Sequence, residues 1–193
     1  NFKCKNMQNK NNLDIFDTHP YKEEILFLSK KDSALRSLFL MYPYFEPFKR
    51  KEGFEGLVQL ITEQQVSVAS AKAIFDRLKK LLILFEPKDF LKLTDLNLRT
   101  TGLSRPKIKY CRILAENIIS GDLSFSLIHK MDDEELKESL CKIKGIGEWT
   151  AQCYMLASLH RRDVWPVKDI GLQVGVQRIK KLKKRPTEDE MIN

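Results

Sequence analysis

Apolar positions recur along this chain with a helical period almost everywhere, while strand-like alternation and the turn dipeptides that join strands are scarce. The pattern predicts an all-α protein. Pro20 is placed in the first turn of a helix whose apolar face carries Ile25, Leu26 and Leu28, and Ser33 caps a second helix running to about Met41. Pro43, Pro47 and Gly53 mark a connection. From Gly56 to Gln65, Leu57, Leu60 and Ile61 form one stripe, and Ser67 is placed to cap a long helix to about Leu84. Pro87 opens a short helix, Thr94 another, and Ser104 a longer one reaching about Ile119. Asp132 opens a segment carrying Leu136 and Leu140, and Trp149 to Leu159 is the helix that follows it. Thr187-Glu-Asp-Glu190 is a capping-box pattern with little chain after it, which predicts a truncated C-terminal helix and a natural chain that continued.

The turn between the segment ending near Leu140 and the helix opening at Trp149 is chemically the most informative. It reads Leu140-Cys-Lys-Ile-Lys-Gly-Ile-Gly-Glu-Trp-Thr-Ala151, with Gly145 and Gly147 one residue apart. Glycines tolerate φ > 0 and close approach, so the chain can reverse sharply there into a helix-turn-helix. The exposed N–H groups of such a turn, and of the helix start beyond it, form an anion site suited to a phosphate diester. A lone acidic residue, Asp169, opens another helix 20 residues after Trp149.

Charge sharpens this picture. The 193 residues suffice for one domain or two small packed lobes, and 34 Lys and Arg against 26 Asp and Glu give a net charge of +8. Charge alone fits a polyanionic partner or simple solubility. Placement favours the partner, because Arg178, Lys180, Lys181, Lys183, Lys184 and Arg185 crowd one stretch and Arg105, Lys107 and Lys109 another. Either cluster can also be a solvated helix face. Cys4, Cys111, Cys141 and Cys153 form no C-x-x-C pair, which excludes a zinc framework and an iron–sulfur cluster; Cys141 and Cys153 fall on apolar helix faces as reduced, buried thiols. Leu81 to Phe85 is too short an apolar run to span a bilayer, and the start of the chain lacks a signal-peptide core, so an intracellular protein without membrane contact is expected. The Asn/Lys/Gln-rich residues 5–12 are expected to be mobile.

These motifs together resemble the helix-hairpin-helix (HhH-GPD) DNA glycosylase superfamily, in its 3-methyladenine DNA glycosylase II branch. The resemblance lies in Lys144-Gly-Ile-Gly-Glu-Trp-Thr-Ala151, Asp163-Val-Trp-Pro-Val-Lys-Asp169, Leu60-Ile-Thr-Glu-Gln-Gln-Val-Ser-Val68 and Gly102-Leu-Ser-Arg-Pro-Lys-Ile-Lys-Tyr110, covering about residues 50–180. It implies an all-α helix-hairpin-helix DNA glycosylase fold of two helical lobes with the active-site cleft between them. In that layout residues 1–50 are N-terminal helices packing with the C-terminal lobe, 51–160 the central helical lobe ending in the hairpin, and 161–193 the catalytic-Asp segment and the start of the C-terminal lobe.

By the same resemblance the partner is double-stranded DNA containing damaged bases, and the chain acts as a monomer, in the cytoplasm of a bacterium or the nucleus of a eukaryote. N–H groups near Gly145, Gly147 and Thr150 hold the backbone beside the lesion, and the carbonyls of Cys141, Ile143 and Ile146 face a structural Na⁺ or K⁺; catalysis itself needs no cofactor. Gln65 falls where relatives place the wedge that fills the hole left by an extruded nucleotide. Asp169 is the candidate catalytic carboxylate, because breaking an N-glycosidic bond builds positive charge on the sugar that a nearby carboxylate stabilises. An Asp just before a helix is also an N-cap, and one residue can serve both ends.

Trp149 stands where strand-nicking relatives carry a Schiff-base lysine, so a monofunctional enzyme is expected, its indole stacking on a cationic alkylpurine. A tryptophan packed between two helices is the structural alternative. Trp165 reads as packing, and His19, His129 and His160 are too scattered for a zinc site or a triad. Two other functions share the motifs: a glycosylase for deaminated or oxidised bases, and a catalytically silent lesion-binding module.

Overall fold

The computed structural model describes residues 13–192; Cys4 and the segment 5–12 lie outside that range. Every regular element among the described residues is helical. None is long and apolar enough to cross a membrane. The chain divides into two compact units, one formed by Asn1–Pro47 together with Val167–Asn193 and the other by Phe48–Pro166.

The larger unit contains α3 (Phe54–Glu63), α4 (Val68–Leu81), α5 (Pro87–Lys92), α6 (Asp95–Thr100), α7 (Arg105–Ser120), α8 (Phe125–Ile128), α9 (Asp133–Cys141) and α10 (Glu148–Ala157). Its axis is α3, in which Phe54, Gly56, Leu57, Val58, Leu60, Ile61 and Thr62 are all buried. A helix apolar on so many sides belongs in the interior, and α4, α7 and α10 all pack on it. Gly56 lets the connection ahead of α3 fold back against the helix, because a Cβ there would lie 1.8 Å from the Lys51 carbonyl oxygen. The core continues through Leu78, Phe90, Leu98, Leu114, Ile128, Leu136 and Tyr154, all fully buried. Tyr154 keeps its polar end satisfied, as its hydroxyl accepts the Gly53 N–H at 2.8 Å. Burial raises the pKa of that phenol.

Local start signals explain where these helices begin. Ser67, Thr94, Ser104 and Asp132 each accept an N–H from the first turn of α4, α6, α7 and α9. Pro87 occupies the first turn of α5, where its missing N–H costs nothing. Arg112 closes α5 from outside by donating to the carbonyls of Leu91 and Leu93 at 3.3 and 2.6 Å while pairing with Asp95. The short α8 had no clear sequence signal: its four residues are fixed by the burial of Ile128.

The other unit contains a 3-10 turn (Leu13–Phe16), α1 (Lys22–Lys31), α2 (Ser33–Met41), α11 (Ile170–Ile179) and α12 (Glu188–Ile192). Pro20 lies in the turn ahead of α1 instead of in its first turn. The cap of α2 is Asp32, one residue before the expected Ser33: its Oδ1 accepts the N–H groups of Ala34 and Leu35 at 2.8 and 3.2 Å. A carboxylate at that position also pairs with Lys180, joining α2 to the residue after α11. Lys180 and then the Leu35 N–H hold the Asp32 carboxyl below its ordinary value. The capping box at Thr187 forms as the spacing predicts, with Glu190 Oε2 accepting the Thr187 N–H at 2.8 Å and Thr187 Oγ1 accepting the Glu190 N–H at 3.3 Å.

Two further expectations are corrected. Cys153 is buried but Cys141 is exposed. The buried face of α9 is set by Leu136 and Leu140, and Cys141, one residue on, is rotated about 100° away from it. Lys107 is no free cation on an open helix face. Its Nζ turns inward to donate to the carbonyls of Thr62 and Gln64 at 2.9 and 2.7 Å.

Candidate functional site

The hairpin joins α9 to α10 through Lys142–Gly147, and its two glycines play different parts. Gly145 sits at φ +101°, and a Cβ there would meet the Tyr110 ring 2.2 Å away. Only glycine fits that position. Gly147, the N-cap of α10, has an ordinary extended backbone (φ −93°, ψ 176°), and a Cβ there would meet nothing within 4 Å. The fold itself therefore does not need a glycine at 147, where the backbone faces open space.

The N–H groups of Gly145, Gly147 and Thr150 have no backbone acceptor among the described residues. Gly147 also has no side chain with which to cap α10. Three donors without a backbone acceptor thus fall in the turn and in the first turn of a helix whose macrodipole favours negative charge, beside the exposed Lys142 and Lys144. The Thr150 side chain is buried, and its Oγ1 accepts from Gln64 Nε2 at 2.9 Å, so the amide is the group of this residue left without an acceptor.

The carbonyls that the resemblance assigns to a cation are those of Cys141, Ile143 and Ile146. That of Ile143 accepts the Ile146 N–H at 3.0 Å, whereas those of Cys141 and Ile146 accept no backbone N–H among the described residues. Such a set of neutral oxygens at the carbonyl end of α9 has the chemistry of a hard-cation site. Side-chain clusters able to hold a metal ion are absent among the described residues.

Gln65 follows Gln64, the C-cap of α3. It is exposed and adopts φ +53°, a left-handed conformation uncommon for a residue with a side chain. The structure brings it beside the hairpin, because its neighbour Gln64 bonds to Gly145 and Thr150. Trp149, in the first turn of α10, is partly buried with one side against the core.

Asp169 belongs to the other unit and caps α11, Oδ1 accepting the Leu172 N–H at 2.7 Å. The side chain is only partly buried. A methyl at Gly171 would come within 3.1 Å of the same oxygen, so glycine there keeps the carboxylate uncrowded. Trp165, read from sequence as packing, is 47% exposed.

Sequence reasoning missed Gln64, Lys107, Tyr110 and Gly171. Gln64 stood in a quoted motif beside Gln65, but only the fold reveals which of two adjacent glutamines turns inward. Burial lowers the pKa of Lys107, and it pushes the neighbouring Cys111 thiol up to about 12.

An all-helical fold carrying a glycine-bent hairpin fits the helix-hairpin-helix class that the sequence resembles, and comparison with known proteins gives the family. The chain belongs to the HhH-GPD superfamily of base excision DNA repair proteins, whose family model matches residues 58–193. It is 31% identical over 170 residues to DNA-3-methyladenine glycosylase 1 of Schizosaccharomyces pombe, covering 84% of this chain and 75% of that protein. The solved structure of a Schizosaccharomyces pombe 3-methyladenine DNA glycosylase in complex with abasic DNA superposes with a TM-score of 0.83 at 28% identity, covering 88% of this chain and 86% of that one. A DNA-3-methyladenine glycosidase from Bacillus halodurans superposes with a TM-score of 0.70 at 34% identity, covering 88% and 79%.

Proposed function

We propose that this chain is a monofunctional DNA glycosylase that removes alkylated purines such as 3-methyladenine from double-stranded DNA, as the first step of base excision repair. The observation that carries this reading is the trio of unused amide donors at Gly145, Gly147 and Thr150, in a turn left open on the Gly147 side. These donors grip a phosphate without reading sequence, as a scanner of damage anywhere in the genome requires.

A base inside the duplex is out of reach, so its nucleotide is swung out, at a cost of a few kcal/mol that is least for damaged pairs. The exposed, left-handed turn at Gln65 supports its role as the wedge that fills the gap. Trp149 offers an electron-rich ring to a positively charged alkylpurine. The Asp169 carboxylate stabilises the oxocarbenium-like sugar and orients a water. The C–N bond breaks with its electron pair returning to the cationic alkylpurine, which leaves neutral, while the water oxygen bonds to C1′ and its proton passes to the Asp169 carboxylate and on to solvent. An indole at position 149 provides no amine for a Schiff base with the sugar, so the product is an abasic site in an unbroken strand.

The carbonyls of Cys141, Ile143 and Ile146 suit a monovalent cation, which would strengthen the phosphate grip by adding positive charge behind it. The protein acts as a monomer, wherever the genomic DNA is kept.

A gel assay on methylated duplex tests the reading. Strand breaks that appear only after alkali treatment are expected. Breaks without alkali would remove the monofunctional assignment, and binding without base release would leave a lesion-binding module.

A further inference from the structure

Gln64 is given no task by the chemistry above, yet its side chain is the most fully used in the hairpin region. Its amide nitrogen carries two hydrogens, and both are donated: one to the Gly145 carbonyl and one to Thr150 Oγ1, each at 2.9 Å. Those acceptors stand on opposite sides of Gly147 in the chain, one within the turn and one in the first turn of α10. The Gln64 carbonyl in turn accepts from Lys107 Nζ at 2.7 Å, and the same ammonium donates to Thr62 at 2.9 Å. Gln64 thus spans the hairpin at one end and is tethered through its backbone to α7 at the other. The next residue is Gln65, at φ +53°, followed by Val66 and Val68, which are 39% and 87% exposed.

A left-handed, non-glycine residue persists where its surroundings over-determine it, and here Lys107 and the Gln64 side chain do so. The fold has separate means of holding the hairpin: Tyr110 packs under Gly145, and Thr150 is 2% exposed within α10. What Gln64 adds is a fixed distance between the two ends of the amide-bearing turn and a rigid link from that turn to Gln65.

We propose that Gln64 is a positioning residue that holds the phosphate-binding amides and the Gln65 turn in one fixed relation, so that gripping the backbone and extruding the nucleotide occur as one motion. The inference rests on reading the hairpin as the phosphate grip.

The test uses the whole chain with Gln64→Ala, Thr150→Val and the double variant. Three quantities are measured: Tm, affinity for duplex carrying an abasic-site analogue, and the single-turnover rate of base release from methylated duplex. Gln64→Ala is expected to slow release by about tenfold or more, because both hydrogen bonds that fix the turn are lost, while remaining folded at the assay temperature. Thr150→Val keeps the shape and loses the hydroxyl, and should slow release roughly fivefold. The double variant should be no slower than Gln64→Ala, because the hydroxyl has then already lost its partner. Gln64→Glu keeps the length but presents an acceptor to the Gly145 carbonyl, and should fall below Gln64→Ala.

Wild-type release in both single variants overturns the proposal, as does a double variant whose losses simply multiply. If Gln64→Ala fails to fold, Thr150→Val and Gln64→Glu still decide the matter. Affinity of a Gly147→Ala variant tests the phosphate grip separately, so a failure of that reading is told apart from a failure of this one.

Discussion

Replacing each hairpin glycine with alanine in turn separates what the fold needs from what a ligand needs. Gly145→Ala places a Cβ at φ +101° and 2.2 Å from the Tyr110 ring. Left-handed backbone costs about 1–2 kcal/mol for an L-residue and overpacking about 1–3 kcal/mol, so the variant should lose about 2–5 kcal/mol. At about 2–4 °C per kcal/mol for a chain of this size, Tm should fall by at least about 4 °C. Gly147→Ala puts its methyl in open space on ordinary backbone. Alanine is a poorer N-cap than glycine by about 0.5–1 kcal/mol, but it reduces unfolded-state entropy by a similar amount, so Tm should move by less than about 3 °C. Binding should behave in the opposite way. The methyl stands where a phosphate oxygen must come within about 3 Å of the amide, and loss of one charge-assisted hydrogen bond, about 1.5–3 kcal/mol, weakens affinity roughly tenfold to a hundredfold. Fluorescence anisotropy on duplex carrying an abasic-site analogue, at one fixed ionic strength, measures this. Wild-type affinity in a folded Gly147→Ala variant would refute the hairpin as the phosphate grip. Undiminished stability in Gly145→Ala would refute the packing argument.

Three further outcomes are expected. The Asp32 carboxyl is held low in the folded state by Lys180 and the Leu35 N–H, so its stabilisation is complete above about pH 4 and lost as pH falls through the depressed folded value; Asp32→Asn, which still caps α2, should have a lower Tm than wild type at neutral pH, and the gap should close on acidification. Peptide mapping after brief thiol alkylation of the native protein should find Cys141 modified and Cys111 and Cys153 protected, since the first is exposed and the other two are buried; equal labelling would contradict the burial. Exchanging Na⁺ or K⁺ for a bulky organic cation at constant ionic strength should weaken duplex binding if the carbonyls of Cys141, Ile143 and Ile146 hold a monovalent ion, and an unchanged Kd would remove that site.

Much of this architecture was legible because short-range chemistry announces itself. Ser67, Thr94, Ser104 and Asp132 cap the helices their positions predicted, and the helical period of Leu57, Leu60 and Ile61 marked the central helix. At α2 the pattern misled: Asp32, one residue before the expected Ser33, is the cap because it both accepts two N–H groups and pairs with Lys180. The hairpin was readable from Gly145 and Gly147, but their division of labour was not, since φ and the proximity of Tyr110 emerge only from tertiary packing. Likewise a basic cluster at Arg105, Lys107 and Lys109 gives no hint that the middle member turns inward to carbonyls contributed by α3 and the residue after it. Such contacts join residues more than 40 positions apart, beyond the range of any local pattern.

The account depends above all on the carboxylate of Asp169 acting on the sugar. Its side chain also caps α11 through the Leu172 N–H, and Asn caps a helix nearly as well as Asp, so Asp169→Asn removes the charge and leaves the fold. Single-turnover release of 3-methyladenine from methylated duplex, measured beside the affinity for that duplex, is the direct measurement. Base release is expected to fall by at least about a hundredfold with affinity within a few-fold of wild type. Release at the wild-type rate in Asp169→Asn would contradict the role of that carboxylate.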